Sequence, residues 1–287
     1  MPLVTTARLL RAAAAGGYAV GAFNCNNMEI VQAILAAAEA ENAPVILQAS
    51  QGAIKYAGLE YISALAKTAI SLTRLPVALH LDHGTSFEQV VRCIAAGFSS
   101  VMIDGSHLPF AENVALTRQV VHVARAVGVS VEAELGRIGG TEDELSVSER
   151  EAFFTDPDEA VRFVSETGVD ALAVAIGTAH GRYKGEPRLD FDRLSRIAAG
   201  VNVPLVLHGS SGVPAEAIRE AVKRGIRKVN IDTDIRETFT GAVRRVLDAD
   251  PDEIDPRKVL GPAREAAVAI IREKIRLFGS ANRANEV

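Results

Sequence analysis

Val77-Ala78-Leu79-His80-Leu81-Asp82-His83-Gly84 is an apolar run that closes on ionisable side chains. Short runs of this kind read as buried strands, so its polar residues collect at one strand end. Two other runs behave alike: residues 172–179 stop at His180, and Leu205-Val206-Leu207 stops at His208. Imidazoles at the same end of several parallel strands can meet at one point. Three neutral ring nitrogens meeting there suit zinc with one coordination position left open.

Working outward from these runs, strands are expected at 20–24, 45–49, 77–81, 100–103, 129–134, 171–176, 205–207 and 228–231. Helix-periodic stretches lie between them, at 28–41, 59–72, 87–96, 111–127, 157–167, 191–199 and 214–224. Strands and helices that alternate without a linker point to a single (β/α)₈ TIM barrel spanning residues 1–287 as one domain. The strand ends sharpen that choice. Asn24, Gln48, Ser50, Asp82, His83, Asp104, Glu132, Glu134, His180, His208, Asn230 and Asp232 would share one rim, where barrels place their active sites. An open doubly wound sheet would put its site only at the switch point.

Composition narrows the partners. The 287 residues are 48% apolar and carry a formal charge of −5, which disfavours nucleic acid, since phosphate-backbone affinity needs a clustered basic excess. Cys25 and Cys93 are too few for a disulfide framework or a thiolate zinc cage, and a reducing compartment fits. Arg8-Leu9-Leu10-Arg11 followed by alanines superficially resembles a signal peptide, but the apolar part is short and split by Arg11, so an amphipathic helix is the better reading. No run approaches the roughly 20 apolar residues of a membrane span. A soluble, cytoplasmic protein is expected.

Asp82 precedes a proposed ligand and must point the other way in an extended strand, which makes it a candidate proton carrier beside the metal. Burying Asp104, Glu132 and Glu134 in one cavity needs a compensating cation or donors. Either a second metal position or hydrogen bonds to the histidines would supply that. His80 and His107 are candidates for orienting a ligand, and His122 reads as structural. His208-Gly209-Ser210-Ser211-Gly212, Asn230-Ile231-Asp232-Thr233 and the Gly181 and Lys184 pair look suited to a phosphate held on backbone N–H groups. Asn24 and Ser50 are expected to touch the same substrate.

These residues resemble the class II, zinc-dependent ketose-bisphosphate aldolases. Residues 77–84 and the stretch Val131-Glu132-Ala133-Glu134-Leu135-Gly136-Arg137-Ile138-Gly139-Gly140-Thr141-Glu142 carry the resemblance, which runs from Gly21 to Ser280. It implies Zn²⁺ on His83, His180 and His208, with Asp104 and Glu134 at an additional or displaced metal position. It implies Asp82 as the proton carrier at the substrate C4 oxygen, and Glu142, with Asp143 as the alternative, for the second proton transfer. Gly181, Lys184, Gly209, Ser211, Asn230 and Thr233 would cradle the dihydroxyacetone-phosphate end, with a monovalent cation (Na⁺ or K⁺) nearby. Arg257 and Arg276 match positions that meet the distal phosphate, partly from a neighbouring subunit, so a homo-oligomer, dimer or tetramer, is implied. Zinc would stabilise the enediolate as a Lewis acid, without a Schiff-base lysine. Asp232 resembles the acidic residue of fructose-type enzymes, which favours fructose 1,6-bisphosphate over its tagatose epimer. A zinc hydrolase and a noncatalytic barrel subunit are the readings from other classes; the phosphate-cradling loops count against the first, and the presence of all three histidines against the second.

Overall fold

Strand alternation sorts the inward and outward residues of a barrel into two cores with different tasks. The computed structural model describes residues 2–142, 145–147, 153–183 and 185–287. Its strands are β1 (Val20–Asn24), β2 (Val45–Ser50), β3 (Val77–Gly84), β4 (Ser100–Ile103), β5 (Ser130–Leu135), β6 (Gly139–Glu142), β7 (Leu145–Val147), β8 (Ala171–Val174), β9 (Ala179–His180), β10 (Leu205–Leu207) and β11 (Ile226–Ile231). Among the described residues, eight of these close into a barrel in the order β1-β11-β10-β8-β5-β4-β3-β2, every pairing parallel. The TIM-barrel expectation holds.

The helices are α1 (Thr6–Gly16), α2 (Met28–Ala40), α3 (Gln51–Ala57), α4 (Leu59–Ser71), α5 (Phe87–Ala95), α6 (Phe110–Ala126), α7 (Pro157–Thr167), α8 (Phe191–Gly200), α9 (Ala215–Lys223), α10 (Thr233–Ala249) and α11 (Pro256–Leu277). Outward-facing Leu47, Leu79, Val101, Val131, Leu172, Leu207 and Val229 pack against this helical layer as one large apolar core. No helix among the described residues is long and apolar enough to cross a membrane.

Inside the barrel the side chains form tiers. Ala22, Ile46, Ala78, Ala171, Ala173 and Val206 make an apolar floor with Leu9, Leu10 and Ala13 of α1. Thr5 starts α1 by accepting from Arg8 N, and Gly17 at φ 69° ends it. The helix closes the barrel's base. Thr6 Oγ1 pins it there, 2.7 Å from both Ser100 Oγ and Ser130 Oγ. Above the floor sit Gln48, His80, Glu132 and Lys228, all buried, and above them the rim.

Three departures from the expected elements have local causes. β8 stops at Val174 because Ala175 leaves the ladder: its N–H takes Thr155 Oγ1 at 2.8 Å and its carbonyl takes Thr155 N at 2.9 Å. β6, β7 and β9 form a small separate sheet in which Gly139 and Gly140 pair with Ala179 and His180. Finally, α10 and α11 form an antiparallel hairpin, with Lys274 Nζ 2.6 Å from Asp234 Oδ2. The end of α11 lies at the barrel base, where Phe278 O accepts from Ala19 N. At 1.5 Å per residue α11 is about 33 Å long, against roughly 17 Å for a five-residue strand. The far end of the hairpin therefore projects past the opposite rim.

Leu10 is fully buried in the floor tier. Leu10→Ala is expected to cost about 2–5 kcal/mol of stability, measured by denaturant unfolding, with the slope of the transition unchanged.

Candidate active site

Alternation along β3 turns His80 and Asp82 into the barrel and would turn His83 outward. The backbone at His83 instead adopts φ 48°, and the β3–β4 register shifts between Leu81 and Gly84. A side-chain-bearing residue in the left-handed region costs about 1–3 kcal/mol and persists only where its surroundings hold it. Here it brings the imidazole back over the rim. His180 arrives from β9 and His208 from the end of β10, and the three ring centroids lie 4.6–6.0 Å apart. One nitrogen of each ring lies within 4.8 Å of the others.

The far sides of two rings decide which nitrogens are bare. His83 Nδ1 lies 2.9 Å from Asp104 Oδ2, and His208 Nε2 lies 2.8 Å from Glu132 Oε1. Burial alone would raise both carboxyls. For Asp104, the His83 and Ser106 hydrogen bonds outweigh it, and for Glu132, the Lys228 charge and the His208 hydrogen bond do; both are held well below the usual carboxylate range. Ionised carboxylates only accept, so each of these ring nitrogens carries its hydrogen. His208 Nδ1 and His83 Nε2 face each other at 2.8 Å; with both rings neutral, each turns a lone pair toward the other. Burial also keeps His208 below the ordinary imidazole range, so the neutral form persists. Two opposed lone pairs at that separation repel unless a cation stands between them. The donor set fits a divalent metal, with His180 as third ligand. A second grouping, His83, Asp104 and Glu134, also converges within 4.8 Å, and Glu134 Oε2 lies 3.8 Å from His208 Nδ1.

Asp82 sits beside this centre, fully buried. Its Oδ2 accepts from Asn24 Nδ2 at 2.8 Å and Gln48 Nε2 at 3.1 Å, and its Oδ1 from Asn230 Nδ2 at 3.1 Å. Three amide donors suit a carboxylate that must face a hydroxyl without rotating away. Asn230 Oδ1 is itself buried with no hydrogen-bond partner among the described residues.

Next to the imidazoles, Asn24, Gly181, Gly209, Ser210, Ser211, Asn230, Asp232, Thr233 and Arg236 line one cleft together with His180. Thr233 opens α10, so the cleft faces a helix N-terminus with its unpaired N–H groups. Gly209 adopts φ 60°, and a Cβ there would meet Ala179 O at 2.5 Å. Only glycine lets these two loops approach. Tyr183 Oη ties them, accepting from Ala179 N and donating to Gly209 O, both at 2.7 Å. Burial pushes that phenol up to about 12, which keeps the donor protonated.

Several expected residues sit elsewhere. Arg276 does not reach this rim: α11 descends to the barrel base, where Arg276 Nε and Nη2 donate to Glu41 at 2.9 and 2.7 Å. Arg257 lies at the start of α11, on the projecting end of the hairpin, 89% exposed and paired with Asp255. Ile231 packs its side chain into the outer core, which leaves only its backbone at the rim. Ser50 turns its hydroxyl to Ala53 N as the N-cap of α3. Of the two candidate orienting histidines, His80 is buried in the middle tier while His107 is exposed. Lys184, Asp143 and the side chain of Glu142 lie outside the described residues.

The structure adds Arg236, Tyr183 and Lys228, which the sequence did not single out. Arg236 Nη2 pairs with Asp232 Oδ2 at 2.6 Å, an i,i+4 spacing that could have signalled it. Lys228 is fully buried beneath the histidines, with Nζ 2.6 Å from Glu132 Oε2. An amine so placed cannot meet a substrate carbonyl, which removes it as an imine-forming group. Such neighbours suit a barrel lyase: a held carboxylate could take a hydroxyl proton, the imidazoles could grip a cation, and the cleft could receive an anionic group.

Comparison with known proteins agrees. The family model described as fructose-bisphosphate aldolase class-II matches residues 4–283. A fructose-bisphosphate aldolase of Thermus caldophilus is 50% identical over 98% of this chain and 100% of its own length. The crystal structure of the YdjI aldolase from Escherichia coli K12 superposes with a TM-score of 0.87 at 33% identity, covering 98% of this chain and 99% of that one. The chain belongs to the class-II fructose-bisphosphate aldolase family, whose members are aldehyde-lyases.

Tyr183→Phe leaves Ala179 N–H and Gly209 C=O without their shared partner. A loss of about 1–3 kcal/mol in unfolding free energy is expected, together with weaker retention of inorganic phosphate in equilibrium binding.

Proposed function

We propose that this chain reversibly cleaves fructose 1,6-bisphosphate into dihydroxyacetone phosphate and glyceraldehyde 3-phosphate, using zinc held by His83, His180 and His208. The observation that carries the reading is the convergence of three imidazoles, with two ring nitrogens 2.8 Å apart, and Asp82 beside them. When bound, the cation would supply Lewis-acid stabilisation of the charge that develops on the substrate's C2 and C3 oxygens. Asp104 and Glu134 would serve an additional or displaced position of the same ion.

The remaining work falls to the chain's own residues. Asp82, held by Asn24, Gln48 and Asn230, takes the C4 hydroxyl proton as the C3–C4 bond breaks and returns it in the reverse direction. The second proton transfer is assigned to Glu142, with Asp143 as the alternative. Gly181, Lys184, Gly209, Ser210, Ser211, Asn230, Ile231 and Thr233 receive the phosphate nearest the ketone, through backbone N–H groups and the α10 N-terminus, with a monovalent cation, Na⁺ or K⁺, near the same anion. Asn24 and Ser50 complete the substrate's surroundings. Arg236 supplies the positive charge at the outer part of the cleft, where it also offsets Asp232. Arg257, on the projecting hairpin, is suited to a neighbouring copy's site, which favours a homo-oligomer. The unbridged, buried Cys25 and Cys93 support a cytoplasmic setting. Asp232 favours the fructose configuration at C4, because a carboxylate there can accept from a C4 hydroxyl in one configuration and not the other.

Exhaustive chelation is expected to abolish cleavage, and zinc or cobalt to restore it; turnover that survives chelation would exclude the scheme. Asp82→Ala should retain metal by elemental analysis yet lose turnover by about 10²–10⁴-fold, whereas His208→Ala should lose the metal. Asp232→Ala should narrow the rate ratio between fructose and tagatose bisphosphates, and an unchanged ratio would remove the basis for choosing between the epimers.

A further inference from the structure

Lys228 takes no part in the cleavage steps, yet it is fully buried inside the barrel. Its ammonium faces two groups. Nζ donates to Glu132 Oε2 at 2.6 Å and to His80 Nε2 at 3.2 Å, and Glu132 in turn meets His208 through its other oxygen. Because His80 Nε2 receives a hydrogen, the ring's own proton lies on Nδ1, 2.8 Å from Ser100 Oγ. Ser100 meets Thr6 Oγ1 of α1 at 2.7 Å. A hydrogen-bonded column therefore runs from the helix that closes the base, through His80 and Lys228, to Glu132 and a proposed zinc ligand.

We propose that Lys228 is a positioning residue for the metal: by clamping one oxygen of Glu132 it aims the other at His208 Nε2, which leaves His208 Nδ1 bare and turned to the cation. This inference rests on the zinc reading above. A neutral imidazole has two tautomers, and only the one with hydrogen on Nε2 presents a lone pair from Nδ1. A carboxylate clamped at Oε2 accepts at Oε1 and selects that tautomer. His80, itself held by Ser100, meets the lysine from the opposite side, which limits how far the clamp can swing.

Substitutions at the pair give opposite expectations for a positioning and a packing role. In Glu132→Gln, Lys228 demands the amide oxygen, so the amide NH₂ must face His208 Nε2 and force its hydrogen onto Nδ1. Zinc affinity, measured by competition with a chromophoric chelator, should fall about 10- to 100-fold. In the double variant K228M/E132Q the glutamine is released to turn its oxygen to His208, so affinity should recover at least in part. Imidazole ¹⁵N spectra of the zinc-free proteins should report hydrogen on Nε2 of His208 in the wild type and the double variant, and on Nδ1 in E132Q.

A double variant that binds zinc more weakly than E132Q, or an E132Q protein with wild-type affinity and tautomer, would overturn the proposal. K228M alone should weaken zinc binding and K228R restore it; should K228M fail to fold, the E132Q and K228R proteins carry the test. A wild-type chain that takes up no zinc would instead refute the metal reading, and the tautomer spectra would still judge the role of Lys228.

Discussion

Two imidazole nitrogens 2.8 Å apart, each on a ring whose far side is held by a carboxylate, set the terms for everything around them. The arrangement exists because Asp104 and Glu132 each hold the proton-bearing side of a ring. Each carboxylate is ionised because donors of its own outweigh its burial. A cation between the rings would thus be prepared for from behind, by the carboxylates that fix which ring nitrogens face inward.

Holding such groups inside a barrel works against stability, since Gln48, His80, Glu132 and Lys228 occupy volume that apolar side chains would otherwise fill. Buried charge is tolerated when its partners are complete, and Lys228 and Glu132 satisfy each other with help from His80 and His208. Stability comes instead from the outer core between strands and helices and from the apolar floor below. Because the strands alternate, one segment serves both needs: Leu79 and Leu81 pack outward while His80 and Asp82 turn inward.

Much of this was legible in the sequence. Strands at 100–103 and 205–207 were readable to the residue, because apolar β-branched runs with turn residues at their ends leave little choice. The three histidines and Asp82 were legible because each stands at a strand end, a position with a known destination in a barrel. Lys228 was not, since its partner Glu132 is 96 residues away in the chain and only the closed barrel brings them together. Alternation alone would have sent His83 outward, and its left-handed backbone is a local exception that no periodicity contains. Arg276 lay beyond such reading: a motif position says nothing about which end of a long helix lies near its own rim, and here it lies at the base beside Glu41.

The helix under the barrel has a consequence for traffic. With Leu9 and Leu10 seated in the floor and Thr6 bonded to two strands, the tube is, among the described residues, a vessel closed at its base. Substrate and product then pass the same ring of loops, so whatever occupies that mouth governs entry and exit alike. A reactive carbanion formed at the rim of such a vessel is sheltered from below by architecture, and only its upper side needs guarding.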